Sequence, residues 1–188
     1  YIAPNPLLNE EGYALAVAYY ACDFEADVVV PSGFIDFVVL SKYRSLIERT
    51  GAKLASPSYE SITLVANKAK LSDLTRSLKI LTPRTIHFSD DDISVEEAME
   101  VIKQELEPPY VVKGIGDKSK PVFYLDLLEA TKDVISRKGV IQEFIPGFGY
   151  GYFALAVDGK PILEFMHRRI IEAGPLGGPS LMASSFFD

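Results

Sequence analysis

The stretch Tyr110-Val111-Val112-Lys113-Gly114-Ile115-Gly116-Asp117-Lys118-Ser119-Lys120-Pro121-Val122-Phe123-Tyr124-Leu125 decides the reading of this chain. Tyr110 to Lys113 is a β-branched run that reads as a strand. It enters a loop with two glycines and ends in a second strand, Val122 to Leu125. A strand–loop–strand unit this short pairs antiparallel. Asp126 to Arg137 then reads as a helix and Val140 to Ile145 as a third strand, closed by Pro146-Gly147. Tyr152 to Val157 and Pro161 to Met166 form a hairpin around Asp158-Gly159-Lys160, since Asp-Gly is a strong hairpin turn signal. Gly and Pro make Ala173 to Ser180 a loop, and Leu181 to Phe187 is expected to open a helix.

Upstream, the pattern alternates strand and helix, the α/β signature. Asp27 to Val30 is the first strand, Phe34 to Glu48 a helix stopped at Gly51, and Lys53 to Ala55 a short strand. Ser58 to Leu78 reads as helix broken near Asn67, with Leu71, Leu74 and Leu78 as its apolar stripe. Thr85 to Phe88 is a further strand. Ser94 with Glu97 fits a capping box, ahead of the apolar positions Val95, Ala98, Met99, Ile102 and Leu106. The acidic run Asp90 to Asp92 suits the start of that helix better than it suits a metal. The expected class is therefore α/β in the N-terminal part and α+β after it.

The chain has 188 residues, 48% apolar and 11% aromatic, with a formal charge of −7. That composition supports a core and excludes a disordered polymer. The acidic balance argues against nonspecific nucleic-acid binding. Its apolar runs are too short for a membrane helix. The one cysteine, Cys22, makes no internal disulfide and is expected to pack as a small hydrophobe in a reducing cytoplasm. With only His87 and His167, a multi-histidine metal site or a Ser–His–Asp triad has little to draw on. His167 reads as a packing or hydrogen-bonding residue.

Three segments could carry chemistry. The Gly114–Lys120 loop combines glycines, which let N–H groups turn to an anion, with Lys118 and Lys120. It is no Walker A loop, and on spacing alone a solvated hairpin accounts for it better. Lys113 stands apart, because a charge ending an apolar strand needs a partner. Gln142-Glu143-Phe144-Ile145-Pro146-Gly147 can offer backbone groups and apolar side chains to a base, or be a strand meeting a turn. His167-Arg168-Arg169 followed by Gly174 to Ser180 can clamp phosphate or carboxylate, or be a basic pair and a connector.

The order of these features resembles the ATP-grasp superfamily over residues 27 onward. Asn67-Lys68 opens a helix, and Leu78 to Thr85 closes it with Leu-Thr-Pro-Arg-Thr. Pro-Tyr-Val-Val-Lys and the Gly-rich hairpin follow, then the Gln-Glu-Phe-Ile-Pro-Gly hinge, a hairpin and an Arg…Gly-Gly-x-Ser segment. Gly147 to Gly151, His167 to Ile170 and Gly177 to Ser180 resemble the carbamoyl-phosphate-synthase-like branch, the ATP-dependent carboligases. The resemblance implies a pre-ATP-grasp region over 1–85, a small ATP-grasp subdomain over 86–146 and the start of a C-terminal subdomain over 147–188. It implies that Lys68 and Lys113 contact ATP phosphates and that Gly114, Gly116 and Ser119 close over them. Gln142, Glu143, Phe144 and Ile145 hold adenine. Arg168, Arg169, Gly177, Gly178 and Ser180 face the γ-phosphate and the acyl substrate. Relatives commonly place a ribose-binding Glu just after the hinge glycine; the matching position here is near Gly149, which has no side chain.

The implied activity is a cytoplasmic ligase that activates a small carboxylate as an acyl phosphate for an amine, ammonia or a similar nucleophile. The cofactors are ATP and Mg²⁺. The family's magnesium ligands come from a later Glu and Glu-x-Asn, so none is assigned here. The expectation is an incomplete ATP-grasp fold, inactive alone, consistent with Tyr1 in place of Met and the end at Asp188. A nucleotide-binding module without catalysis, or one half of a split protein, is the alternative. A small-molecule α/β domain that does not use ATP comes third. No nucleic-acid or membrane partner is expected, and a homo-oligomer stays open.

Overall fold

The computed structural model describes residues 2–88, 92–116, 120–174 and 180–186. The chain opens with α1 (Glu10–Asp23), which the sequence reading does not anticipate. Asn9 caps it, its Oδ1 accepting from Gly12 N at 2.8 Å. The buried face is Ala14, Ala18 and Ala21, small residues that leave no bulky apolar stripe to read. Cys22 sits on this helix but is exposed, so it does not pack as expected.

β1 (Val28–Val29) pairs in parallel with β2 (Lys53–Leu54). Between them the expected single helix is two, α2 (Phe34–Lys42) and α3 (Arg44–Glu48), broken at Tyr43. Arg44 fixes the break. Its guanidinium donates to the carbonyls of Leu54 at 3.2 Å and Pro57 at 2.9 Å, and to that of Ser56. Ala14, Val39, Leu40, Ile47, Ala52 and Leu54 form the first core.

α4 (Tyr59–Ala66) and α5 (Lys68–Ser77) lead to the second core. Asn67 separates them and caps α5, its Oδ1 accepting from Ala69 N and Lys70 N at 3.1 Å each. Next come β3 (Thr85–His87), α6 (Val95–Glu105), β4 (Tyr110–Lys113), β5 (Val122–Tyr124), α7 (Leu127–Ser136) and β6 (Val140–Glu143). The Ser94–Glu97 capping box is formed. Asp126 caps α7 by accepting from Glu129 N at 2.8 Å. The strands make one antiparallel sheet in the order β3-β6-β4-β5. α6 and α7 cover one face, where Ile102, Leu106, Tyr110, Val112, Val134 and Ile141 form the second core.

Strand alternation turns the other set of residues away from those helices. The register puts Thr85, Gln142, Val111 and Phe123 in one row across all four strands, with Lys113 one step along. That row is the floor of the site.

β7 (Tyr150–Val157), β8 (Lys160–Glu172) and β9 (Ser180–Phe186) form a separate antiparallel sheet. The Asp158-Gly159 turn has φ of 50° and 75°, the positive pair a tight hairpin requires. The helix expected over 181–187 is instead β9: Met182 to Ser185 pair with β8, and pairing with a distant strand overrides local helix propensity. His167 packs as expected. Its ring lies over Gly151 and beside Phe153, 5.2 Å between ring centroids. Among the described residues, no helix is long and apolar enough to cross a membrane.

Candidate nucleotide site

A cleft of about 430 Å³ opens over the face of the four-stranded sheet turned away from α6 and α7. Lys113, Gln142, Phe123, Phe144, Ile145 and Glu172 border it. At one end, Lys113 Nζ donates to Gln142 Oε1 at 2.7 Å. The Gln142 amide is itself oriented. Thr85 Oγ1 gives its proton to Pro83 O at 2.8 Å and so accepts from Gln142 Nε2 at 2.7 Å. This turns Gln142 Oε1 toward the lysine. Lys113 therefore rests on a neutral oxygen, and no carboxylate among the described residues is recorded in contact with it.

Burial pushes the Lys113 ammonium below its ordinary value, and the nearby Lys68 charge pushes it the same way. Lys68 is the first residue of α5. Its Nζ donates to Gly116 O at 2.5 Å and its backbone N to Ile115 O at 3.1 Å. Residues far apart in sequence thus bring two ammonium groups and a helix N-terminus to one place. Such a place attracts a polyanion.

At the other end, Phe144 meets Phe123 edge to face, centroids 5.9 Å apart. Phe144 and Ile145 follow β6 directly, beyond the sheet ladder. Glu143 turns its carboxylate to Arg84 instead. Oε1 accepts from Arg84 N at 2.8 Å and Oε2 from Arg84 Nε at 3.0 Å. The Arg84 backbone N–H and guanidinium hold the Glu143 carboxyl below the usual carboxylate range.

Lys68, Lys113, Gly116, Gln142, Glu143, Phe144 and Ile145 are thus brought together. Gly114 sits at the end of β4, before the loop. Arg168 and Arg169 part company. Arg168 lies over the Phe148 ring, 4.4 Å from its centroid, while Arg169 N donates to Gly149 O at 2.8 Å. Both also line a hollow of about 610 Å³ with Phe148, Tyr150 and Phe186. Ser180 begins β9, opposite Glu172. Ser119, Gly177 and Gly178 lie outside the described residues. A further hollow, about 880 Å³ along α5, β3 and residues 79–84, collects none of the predicted site residues. Thr85, Phe123 and Glu172 were not foreseen. Among the described residues, no three His, Cys, Asp or Glu side chains gather as metal ligands.

Thr85→Val keeps the side-chain shape and deletes both hydrogen bonds, leaving the Gln142 amide without its acceptor. We expect a loss of about 1–3 kcal/mol of stability. Thr85→Ser should recover most of it. Urea midpoints compare the two, and identical midpoints for Val and wild type would refute the relay.

No family model matches the sequence, and no curated protein matches it. Solved structures do. L-amino acid ligase from Bacillus licheniformis aligns with a TM-score of 0.61 and 21% identity, over 92% of this chain and 40% of that one. D-alanyl-alanine synthetase A from Vibrio cholerae aligns with a TM-score of 0.58 and 15% identity, over 84% of this chain and 50% of that one. The fold is that of the ATP-grasp enzymes. VanG D-Ala:D-Ser ligase from Enterococcus faecalis matches at 0.58 and 20%, over 85% of this chain and 48% of that one. The chain therefore spans half or less of these ATP-grasp structures' own length. A more distant ATP-grasp neighbour, a biotin carboxylase domain from Hydrogenobacter thermophilus with a TM-score of 0.52, was solved with MgADP, ADP and bicarbonate.

Proposed function

We propose that this chain supplies the ATP-binding part of an ATP-grasp ligase that joins a small carboxylate to an amine, ammonia or a similar nucleophile. The observation that carries the reading is a cleft bordered by Lys113, on which the Lys68 charge acts, and by Phe144 and Ile145. A nucleoside triphosphate has that polarity, a flat apolar base at one end and a polyanion at the other. Amino-acid-joining ligases among the fold neighbours support the choice of reaction.

In the proposed reaction, a carboxylate oxygen of the substrate attacks the γ-phosphorus and ADP leaves. The nucleophile's nitrogen then attacks the acyl carbon, phosphate leaves and the nitrogen gives up its proton. The residues of this chain hold and orient the nucleotide. Lys113 and Lys68 neutralise phosphate charge, which is where positioned cations contribute most to phosphoryl transfer. Backbone groups of 143–145 meet the base edge, with Phe144 and Phe123 as an apolar wall. Arg168 and Arg169 serve the acceptor side. Magnesium, when bound, would supply positive charge to the transferring phosphate; the described residues offer no cluster of three His, Cys, Asp or Glu side chains to hold it.

Titration with ATP, ADP and adenosine tests the binding, with affinity falling in that order. A screen of carboxylate–amine pairs for release of ADP and phosphate tests the reaction. ATP bound without turnover by any pair would support the non-catalytic module instead. No preference for ATP over adenosine would refute the phosphate end of the cleft.

A further inference from the structure

The hollow of about 880 Å³ along α5, β3 and residues 79–84 lies against the outer edge of the four-stranded sheet, where β3 ends the strand order. On the β6 side, Arg84 O accepts from Glu143 N at 3.0 Å. Antiparallel alternation therefore turns the backbone groups of Thr85 and His87 to the open side. Arg76 Nη2, from α5, donates to Thr85 O there at 3.1 Å. His87 carries the second pair of backbone groups on this edge. A sheet edge of this kind pairs readily with an extended peptide.

Charges of both signs border the hollow. Arg76 and Lys79 come from the end of α5, and Glu105 from the end of α6. Two other charges there already have partners: Asp73 Oδ1 lies 3.2 Å from His87 Nε2, and Arg84 is engaged by Glu143. Lys79 and Glu105 both sit against local preference. Lys79 has φ of 55°, directly after the α5 cap, where glycine is the usual residue. Ile80 N donating to Thr75 O at 2.9 Å closes the helix around it. Glu105 is the last residue of α6, a carboxylate at the negative end of the helix dipole. Apolar side chains complete the border. Ile80 and Leu81 are 52% and 99% exposed, and Val101 lies one turn before Glu105 on the same face of α6.

We infer that this hollow binds a short peptide with free termini and apolar side chains, laid along β3, its carboxylate on Lys79 and Arg76 and its ammonium on Glu105. A simple anion would face Glu105, and a simple cation would face Arg76 and Lys79. A zwitterion with an apolar middle meets both signs, and a peptide adds backbone groups for the strand edge. The peptide is a bound ligand here, and no bond is made or broken. The site is apart from the nucleotide cleft and from Arg168 and Arg169, so it stands independently of the nucleotide reading.

The test is calorimetric titration of the chain, without nucleotide, with the tripeptide Leu-Ala-Leu, its N-acetyl form, its C-terminal amide and free leucine. The free tripeptide should bind about tenfold more tightly than either blocked form, the usual scale of a charge-assisted hydrogen bond. It should also bind more tightly than leucine, which brings no peptide backbone to the strand edge. Lys79→Gly should weaken the free tripeptide by about tenfold and leave the amide unchanged. Glu105→Gln should weaken it by about the same factor and leave the N-acetyl form unchanged. Glycine relieves the positive φ at 79, so Lys79→Gly should raise the urea midpoint, which separates its lost affinity from any loss of fold. Amide NMR shifts during titration should concentrate in residues 72–87 and 101–105. Equal affinity for the free and blocked tripeptides, or for leucine and the tripeptide, overturns the peptide site. Shifts centred elsewhere overturn its place in the fold.

Discussion

Lys113→Ala weakens ATP binding by about ten- to a hundredfold, the expected result of removing a charge-assisted contact worth about 1.5–3 kcal/mol. The free protein already holds this ammonium at a cost. It is withdrawn from water and faces the Lys68 charge, with a neutral amide oxygen as its hydrogen-bond partner among the described residues. A polyphosphate relieves both, so the charge favours the complex more than it favours the free chain. Adenosine, without phosphates, should bind Lys113→Ala and wild type equally. Titrations of ATP and adenosine against both proteins supply the comparison. Equal ATP affinities would sink the role of Lys113, and a parallel loss for adenosine would show that the substitution had damaged the cleft as a whole. Lys113→Arg should recover part of the affinity, because the charge returns but the guanidinium cannot sit on Gln142 in the same geometry.

Ile141→Ala is expected to destabilise the second core by about 2–5 kcal/mol. Ile141 is 0% exposed and lies in β6, the strand flanked by both β3 and β4. It packs with Ile102 of α6 and Ala130 and Val134 of α7. Truncation removes apolar contacts to two helices and leaves a cavity that the sheet cannot close without losing its register. Urea unfolding followed by circular dichroism should show the midpoint fall with the slope unchanged. A shift under about 0.5 kcal/mol, typical of a surface substitution, would mean that the core had been misassigned.

What could be read from the sequence was local. The Ser94–Glu97 box, the Asp158-Gly159 turn, the Asn67 break and the strand at Tyr110–Lys113 each depend on residues a few positions apart. α1 escaped because its buried face is alanine, which leaves no periodic bulk. β9 was expected as a helix because its strand character comes from β8, not from its own residues. The site divides the same way. Lys113 was legible as a charge ending an apolar strand. Thr85 was not, since its tie to Gln142 follows from the register of β3 on β6. Glu172 was not either, since only the position of β8 brings it to the cleft.

Among the described residues lie two hydrophobic cores, one within residues 14–54 and one within 102–141, with α4 and α5 between them in sequence. They share no residue, so each can open without the other, as cooperative units within one chain do. The residues of the four-stranded sheet that line the candidate cleft belong to the second unit. A bound ligand raises the stability of the unit it contacts, by about 2.7 kcal/mol at a hundred times its dissociation constant. A melting curve of this protein is therefore expected to resolve into two steps, of which ATP moves one. A dye or heat signal dominated by the first unit would register no shift from a ligand that was fully bound. Amide hydrogen exchange, which reports each strand by itself, would see protection rise along β4 and β6 while α1 and α2 stayed unchanged.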